Sequence, residues 1–354
     1  MIQWARPVLY GDEEDYLKQA LHSTFISGGP FVERAERELG DLHDRSAICT
    51  SSGTTALHLA LLGLGVGPGD EVIVPGWCFG AAPNMVLACG AKPVFADVLA
   101  DTWLLDPESV ENKVSPRTKA IIAVHTYGNV CEMLALQAVA QNIKIIEDCA
   151  ESLFAKIEGQ LCGTFFDVAC FSFHATKMIT SGEGGMVLTK DPQLLAQMRL
   201  IHSHGMSGPR KYWHHLVGHN FRLTNLQAAL LCAQFKHREE VIARRREIYA
   251  RYKANLLGFT LQKFQEKVDP VVWTIGVRVK ERDAVMTRMA QDGIETRPGF
   301  YAFSQQPLYD TPPLGNAEEV ASSVICLPMP ADIKPEEVDF VCERLKNAAS
   351  FVKG

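Results

Sequence analysis

The chain has 354 residues, 47% apolar and 21% charged, an ordinary globular balance with length enough for one large or two smaller cores. Its net charge of −6 supplies no general basic field, which argues against nucleic acid or an anionic membrane as partner. Ten cysteines are scattered without a CxxC pair, so no metal site and no disulfide framework is expected, and reduced thiols in a cytoplasmic protein are the better reading. The opening "MIQWARPVLYGDEEDY" has no signal-peptide core, and no apolar run of about 18 residues could span a bilayer.

From residue 46 to 190, short apolar runs alternate with helical patterns. "SAICT" (46–50), "EVIVP" (71–75), "KPVFADV" (92–98), "KAIIAVHTYG" (119–128), "IKIIEDCA" (143–150), "DVACFSF" (167–173) and "GGMVLT" (184–189) read as strands. Their hydrophobicity is continuous rather than alternating, which predicts strands covered on both faces in a mostly parallel sheet. Between them, "TTALHLALLGLG" (54–65) places Leu57, Leu61 and Leu64 on one helical face, and "PNMVLACG" (83–90) is a shorter helix. The alternation predicts an α/β fold with helices on both sides of the sheet. Beyond residue 190 the pattern changes. Residues 224–256 read as one long helix opened by an N-cap at Thr224, and its interleaved acids and bases mark a solvated face. Sparser strands follow at 271–279, 293–301 and 322–329, then a final helix, as in a smaller α+β domain.

Three features converge on an anionic cofactor. "CTSSGTTALHLAL" (49–61) runs strand, Ser/Gly turn, helix, which aims free N–H groups and a helix dipole at whatever lies in front. It is no Walker loop, because no Gly-Lys-Ser/Thr follows. "IIEDCAE" puts Asp148 at the carboxyl end of an apolar strand, where open α/β sheets place ligand groups and where an acid needs a cationic partner. "FSFHATKMITSGEGG" sets Lys177 just beyond a strand that carries Ser172 and His174. A lysine amine that forms a Schiff base needs a carbonyl, a phosphate seat and an acid for a pyridine nitrogen, and pyridoxal phosphate unites the three. "PGWCFGA" (75–81) adds an aromatic for the ring to stack on.

These stretches, with "GPGDEVIVP", "GAKPVFADV" and "GHNFRLTNLQAAL", make the chain resemble the sugar-nucleotide aminotransferases of the DegT/DnrJ/EryC1/StrS family over roughly residues 5–350. The resemblance implies the fold of aspartate aminotransferase: a large domain over 1–240 with a mostly parallel seven-stranded sheet, whose first 45 residues line the site, and a small α+β domain over 241–354. It implies pyridoxal 5′-phosphate as cofactor, carried by Lys177, with Asp148 on the pyridinium. Phe79 is implied as the stacking aromatic, with Trp77 the other candidate. Gly53, Thr54 and Ser172 are implied to hold the phosphate, and Asn220 to reach the phosphate of a neighbouring subunit in a homodimer. "EDCAES", "KMITSGEGGM" and "IETRPGFY" look most like the branch that aminates C4 of GDP-4-keto-6-deoxymannose with L-glutamate as donor. Gly299 and Ala302 depart from that branch where substrate would bind, as does "SFHATK".

Glu151 stands three residues after Asp148, either near the ring hydroxyl or as an exposed glutamate at a helix start. His174 reads as a core histidine satisfied by backbone. His215 and His219 flank the turn where subunits are expected to meet. By resemblance, Ser27, Gly28, Arg297 and Tyr301 line the sugar-nucleotide side, with a structural ion pair the other reading of Arg297. A dehydratase would carry histidine in place of Lys177. The remaining alternatives are a 3-aminotransferase on a dTDP- or UDP-linked keto-sugar and a regulator that binds without turnover.

Overall fold

The computed structural model describes residues 1–206, 208–210 and 212–351; Lys211, within the sequence stretch before "GHNF", and the last three residues of the expected small domain fall outside it. Seven strands form the main sheet: β1 (Ser46–Thr50), β2 (Glu71–Pro75), β3 (Lys92–Ala96), β4 (Thr118–Val124), β5 (Lys144–Asp148), β6 (Val168–Ser172) and β7 (Gly185–Thr189). Their order across the sheet is β1-β7-β6-β5-β4-β2-β3. Only β7 runs against the rest, pairing antiparallel with both β1 and β6, and the other pairs are parallel. Ile73, Ile121, Ile122, Ile146 and Val187 are fully buried, as the continuous apolar runs require of strands sandwiched between helix layers.

The helix Gly53–Gly63 follows β1 and is closed at its start by a capping box. Ser52 Oγ accepts the Thr55 N–H at 3.1 Å and Thr55 Oγ1 accepts the Ser52 N–H at 3.0 Å. Its buried residues include Leu59 as well as Leu57 and Leu61, and Leu64 caps its end half-buried. A second, four-stranded antiparallel sheet joins Thr260–Leu261, Ile275–Arg278, Val324–Leu327 and Arg297–Pro298. It packs with the helices Arg238–Asn255, Arg282–Gln291 and Pro335–Phe351 around Ile248, Tyr252, Val277, Met289 and Val341. Segments after residue 241 also enter the main core through Val271, Trp273, Phe303 and Val324.

Three expectations need correction. The long helix is two, Asn225–Lys236 and Arg238–Asn255, parted at His237 with φ −97° and ψ 14°. No glycine or proline marks that break; His237 is held from outside by Asp12 Oδ2 at 2.6 Å and by stacking on Tyr10 at 5.1 Å. The strand expected over 271–279 is confined to Ile275–Arg278, because Val271 and Trp273 turn into the main core. The strand expected over 293–301 shrinks to Arg297–Pro298 and an isolated bridge from Ile294 to Ile2, since a proline cannot donate to the ladder. The Thr224 N-cap is present, with Gln227 completing its capping box.

Candidate active site

The carboxyl ends of β1, β5 and β6 lie at one end of the sheet, and of the cofactor residues named from sequence Gly53, Thr54, Asp148, Glu151, Ser172 and Lys177 stand on or just beyond these strand ends. Gly185 pairs with Thr50 on one side and with Ser172 on the other, drawing the turn after β1 against the end of β6. The approach is close. A Cβ on Gly53 would lie 2.7 Å from Ser172 Cβ and 3.2 Å from its hydroxyl, and a Cβ on Gly185 would run into the Ser52 carbonyl. The first N–H groups of a helix have no partner within it, and Ser52 caps that of Thr55, leaving those of Gly53 and Thr54, with Gly53 itself against the Ser172 hydroxyl. That donor set suits a phosphate.

Asp148 ends β5 and is buried; its Oδ1 accepts the Ala150 N–H at 3.1 Å, with no other hydrogen bond to this carboxylate among the described residues. Burial pushes its carboxyl above the usual range, against that hydrogen bond and the fields of Lys177 and His125. Lys177 is tucked behind the turn after β6, its side chain 14% exposed and its Nζ 3.6 Å from Glu151 Oε1. Burial draws the amine below the ordinary lysine value, opposed by Glu151 and Asp148. Glu151 is itself buried, not the exposed residue of the alternative expectation, and burial raises its carboxyl. Its Oε2 accepts the N–H of Tyr127 at 2.9 Å.

Sequence reasoning missed Tyr127 and Trp273, which complete this enclosure. Tyr127 has φ 63°, in the left-handed region that aims its N–H at Glu151, and Gly128 follows at φ 95°. A Cβ on Gly128 would strike the Val271 carbonyl, so the bare glycine admits the segment that carries Trp273. The Trp273 ring then lies over Lys177, with Nζ 3.7 Å from the ring centroid. The "HTYG" turn was the one available sign.

Other residues fall where sequence did not put them. Trp77 is fully buried, donates Nε1–H to the Phe300 carbonyl at 2.6 Å and packs on Trp103 and Tyr127, so no face is free for a ligand. Phe79 is 60% exposed on the turn after β2, its ring meeting Phe300 edge-to-face with centroids 6.0 Å apart. His174 is no core histidine: its side chain is 45% exposed and its Nδ1 lies 2.9 Å from Thr176 Oγ1. Ala302 is fully buried, and a Cβ on Gly299 would meet Val324 at 2.9 Å and Trp77 at 3.2 Å, so both departures serve packing. His219 stacks on Phe221 at 4.6 Å, and His215 is exposed.

The substrate-side residues and Asn220 stand apart from this cluster. Ser27 and Gly28 are exposed, the Ser27 carbonyl accepting the Asn225 N–H at 3.1 Å. Arg297 forms the structural ion pair, 2.5 Å from Glu295 Oε1. Tyr301 is half-exposed beneath the Arg282 guanidinium, 5.3 Å from its ring centroid. Asn220 is exposed, its Oδ1 accepting from Arg222 Nε at 3.2 Å. No hydrogen bond or ring contact joins any of these five to Lys177 among the described residues.

The model of the DegT/DnrJ/EryC1/StrS aminotransferase family matches residues 8–346. The chain belongs to that family. It is therefore a pyridoxal-phosphate-dependent sugar aminotransferase, and the cluster fits the cofactor: an acid short of donors, a cradle that a single Cβ would fill, and an enclosed lysine. Among its relatives are the GDP-perosamine synthase of Escherichia coli O157:H7, 37% identical with 96% of each chain covered, and that of Caulobacter vibrioides, 39% identical with 97% of each covered. A UDP-N-acetyl-3-dehydro-alpha-D-glucosamine 3-aminotransferase of Acidithiobacillus ferrooxidans is 38% identical over 81% of this chain and 80% of its own. Among solved structures, the sugar aminotransferase Spr1654 of Streptococcus pneumoniae, described as putative and in its PMP form, superposes with a TM-score of 0.95 at 27% identity, covering 99% of this chain and 100% of its own.

Proposed function

We propose that this aminotransferase aminates C4 of GDP-4-keto-6-deoxymannose, with L-glutamate as donor, to give GDP-perosamine. The observation that carries the site assignment is the Lys177 amine, enclosed between Glu151 and Trp273 at the strand ends that also hold Asp148 and the Gly53–Ser172 cradle. The substrate assignment draws on the GDP-perosamine synthases among the relatives and on the segments quoted above.

In this proposal Lys177 carries the cofactor, Gly53, Thr54 and Ser172 hold its phosphate, and Phe79 stacks on its ring. Asp148 holds a proton on the ring nitrogen, and Glu151 faces the ring hydroxyl. Pyridoxal phosphate, when bound, supplies an electron sink for the bonds at the carbon that bears the amine. Lys177 takes and returns the proton at that carbon. Ser27, Gly28, Arg297 and Tyr301 form the sugar-nucleotide side once two copies pair, with Asn220 reaching the partner's phosphate. All ten cysteines are buried and unpaired, which suits the reducing cytoplasm; no described helix is long and apolar enough to cross a membrane.

The test is to incubate the purified enzyme with L-glutamate and GDP-4-keto-6-deoxymannose and follow 2-oxoglutarate and the product by mass and NMR. Stoichiometric 2-oxoglutarate with a new amine at C4, and ping-pong kinetics, is the expected result. The relative that acts as a 3-aminotransferase favours a second reading: amination at C3 of a UDP-linked 3-keto sugar, with the GDP sugar left untouched, would replace the first. Loss of a sugar oxygen without gain of nitrogen would mean a dehydratase.

A further inference from the structure

Trp273 is anchored more firmly than core packing demands. Its N–H donates to the Tyr127 carbonyl at 3.3 Å, its carbonyl accepts from Arg245 Nη1 at 3.0 Å, and its indole Nε1–H donates to the Thr176 carbonyl at 2.6 Å. Trp4 packs against its ring nearly at right angles, with centroids 5.5 Å apart and planes at 85°. The indole is thus fixed by the residue just before Lys177, and the face it turns inward meets the Lys177 amine at 3.7 Å. An ammonium out of water is costly unless something replaces its hydration. A tryptophan face within about 6 Å does so through its quadrupole, and more strongly where water is excluded. The titratable groups facing the amine are Glu151, at 3.6 Å, and Asp148, which acts through its field.

Resting on the assignment of Lys177 as the cofactor lysine, we infer that Trp273 is a positioning residue that parks the free amine of Lys177 as an ammonium on its indole face, so that capture of the cofactor's aldehyde, which joins nitrogen to carbon and releases water, requires the amine to lose its proton and leave the ring. Glu151 is the counter-charge in that parked state, and the Thr176 hydrogen bond sets the distance between ring and amine. Removing the π face leaves burial less opposed, so the amine gives up its proton at lower pH.

The experiment uses cofactor-free protein mixed with pyridoxal phosphate over a range of pH. The rate of capture is followed by absorbance, and its site by borohydride fixation and peptide mass. In the wild type, capture rises with pH as the amine deprotonates. Trp273→Leu is expected to move the midpoint to lower pH, while Trp273→Phe, which keeps an aromatic face but loses the second ring and the N–H bonded to Thr176, moves it less. A leucine variant with an unmoved midpoint, or a phenylalanine variant that moves as far, overturns the inference. Should the leucine variant fail to melt cooperatively, Trp273→Met takes its place with the same two outcomes, and failure of both to fold makes Trp273 a core residue and also overturns it. Lys177→Ala separates the two claims. Capture that persists at another residue, or none in the wild type, defeats the assignment of Lys177 rather than the role of Trp273.

Discussion

Behind β5 and in front of it the chain handles two neighbouring carboxylates in opposite ways. Glu147 and Asp148 are adjacent, both buried, and side chains alternate across a strand, so they face opposite sides of the sheet. Behind, Glu147 Oε2 accepts the Gly163 N–H at 2.7 Å, and its Oε1 accepts those of Phe165 and Phe166 at 2.8 and 2.9 Å. His125 Nε2 adds a contact at 3.5 Å, and its Nδ1 accepts the Cys131 N–H, which leaves the imidazole proton on the Glu147 side. In front, Asp148 has the single Ala150 N–H and a lysine held nearby. Residue type and burial are alike, and what separates a structural acid from a site acid is how completely its lone pairs are filled. Buried polar groups are normally satisfied, and the shortfall at Asp148 is what the proposed pairing with the ring nitrogen would fill.

The contrast can be broken in several ways. Lys177→Ala, on the front side, should lower turnover with glutamate and keto-sugar to background, checked by 2-oxoglutarate release; normal rates would remove Lys177 from the chemistry. Glu147→Leu, behind, leaves three backbone donors and a histidine without their acceptor, and should cost about 3–5 kcal/mol of cofactor-free stability in a urea melt.

Asp148→Asn should act with the other sign, adding roughly 1 kcal/mol to the cofactor-free protein while lowering activity. The pH dependence follows from the direction of the shift. The folded carboxyl keeps its proton to higher pH than the unfolded one, so the folded state binds more protons in the window just above the ordinary aspartate value. Wild-type stability therefore falls as pH rises through that window, the asparagine variant lacks this slope, and the gap between them should widen from about pH 4 upward. A gap that narrows instead would mean that Asp148 is paired in the folded protein. The smallest effect expected is that of Gly53→Ala. Its new methyl must push Ser172 aside, and cofactor affinity, read by equilibrium titration, should weaken about tenfold with stability changed by about 1 kcal/mol.

Much of this was legible beforehand because it depends on short stretches of chain. Continuous apolar runs gave the seven strands, "TSSGTT" gave the capped turn, and Asp148 and Lys177 stood out as charges at the ends of apolar strands. What stayed hidden depends on contacts made far along the chain. Nothing near Trp77 and Phe79 says which is buried; Trp103 and Tyr127, which pack on Trp77, decide it. "IIEDCAE" holds three acids, and only the loop at 163–166 distinguishes the saturated Glu147. The break at His237 is imposed by Tyr10 and Asp12, and Trp273 reaches Lys177 only because Tyr127 and Gly128 take left-handed backbone.

The reversed direction of β7 sets the order in which the site can be assembled. Because β6 and β7 are antiparallel neighbours in sequence, the segment bearing Lys177 is a local hairpin that leaves and re-enters the sheet at one end, with Ser172 paired to Gly185. Such short-range pairings form early at little entropic cost. The Gly53–Ser172 cradle is the opposite: it closes only when β1, from far upstream, docks on the outer edge of β7. The hairpin that bears Lys177 can thus pair before the cradle closes, and under the proposed assignment tight retention of the cofactor becomes a report that β1 has docked.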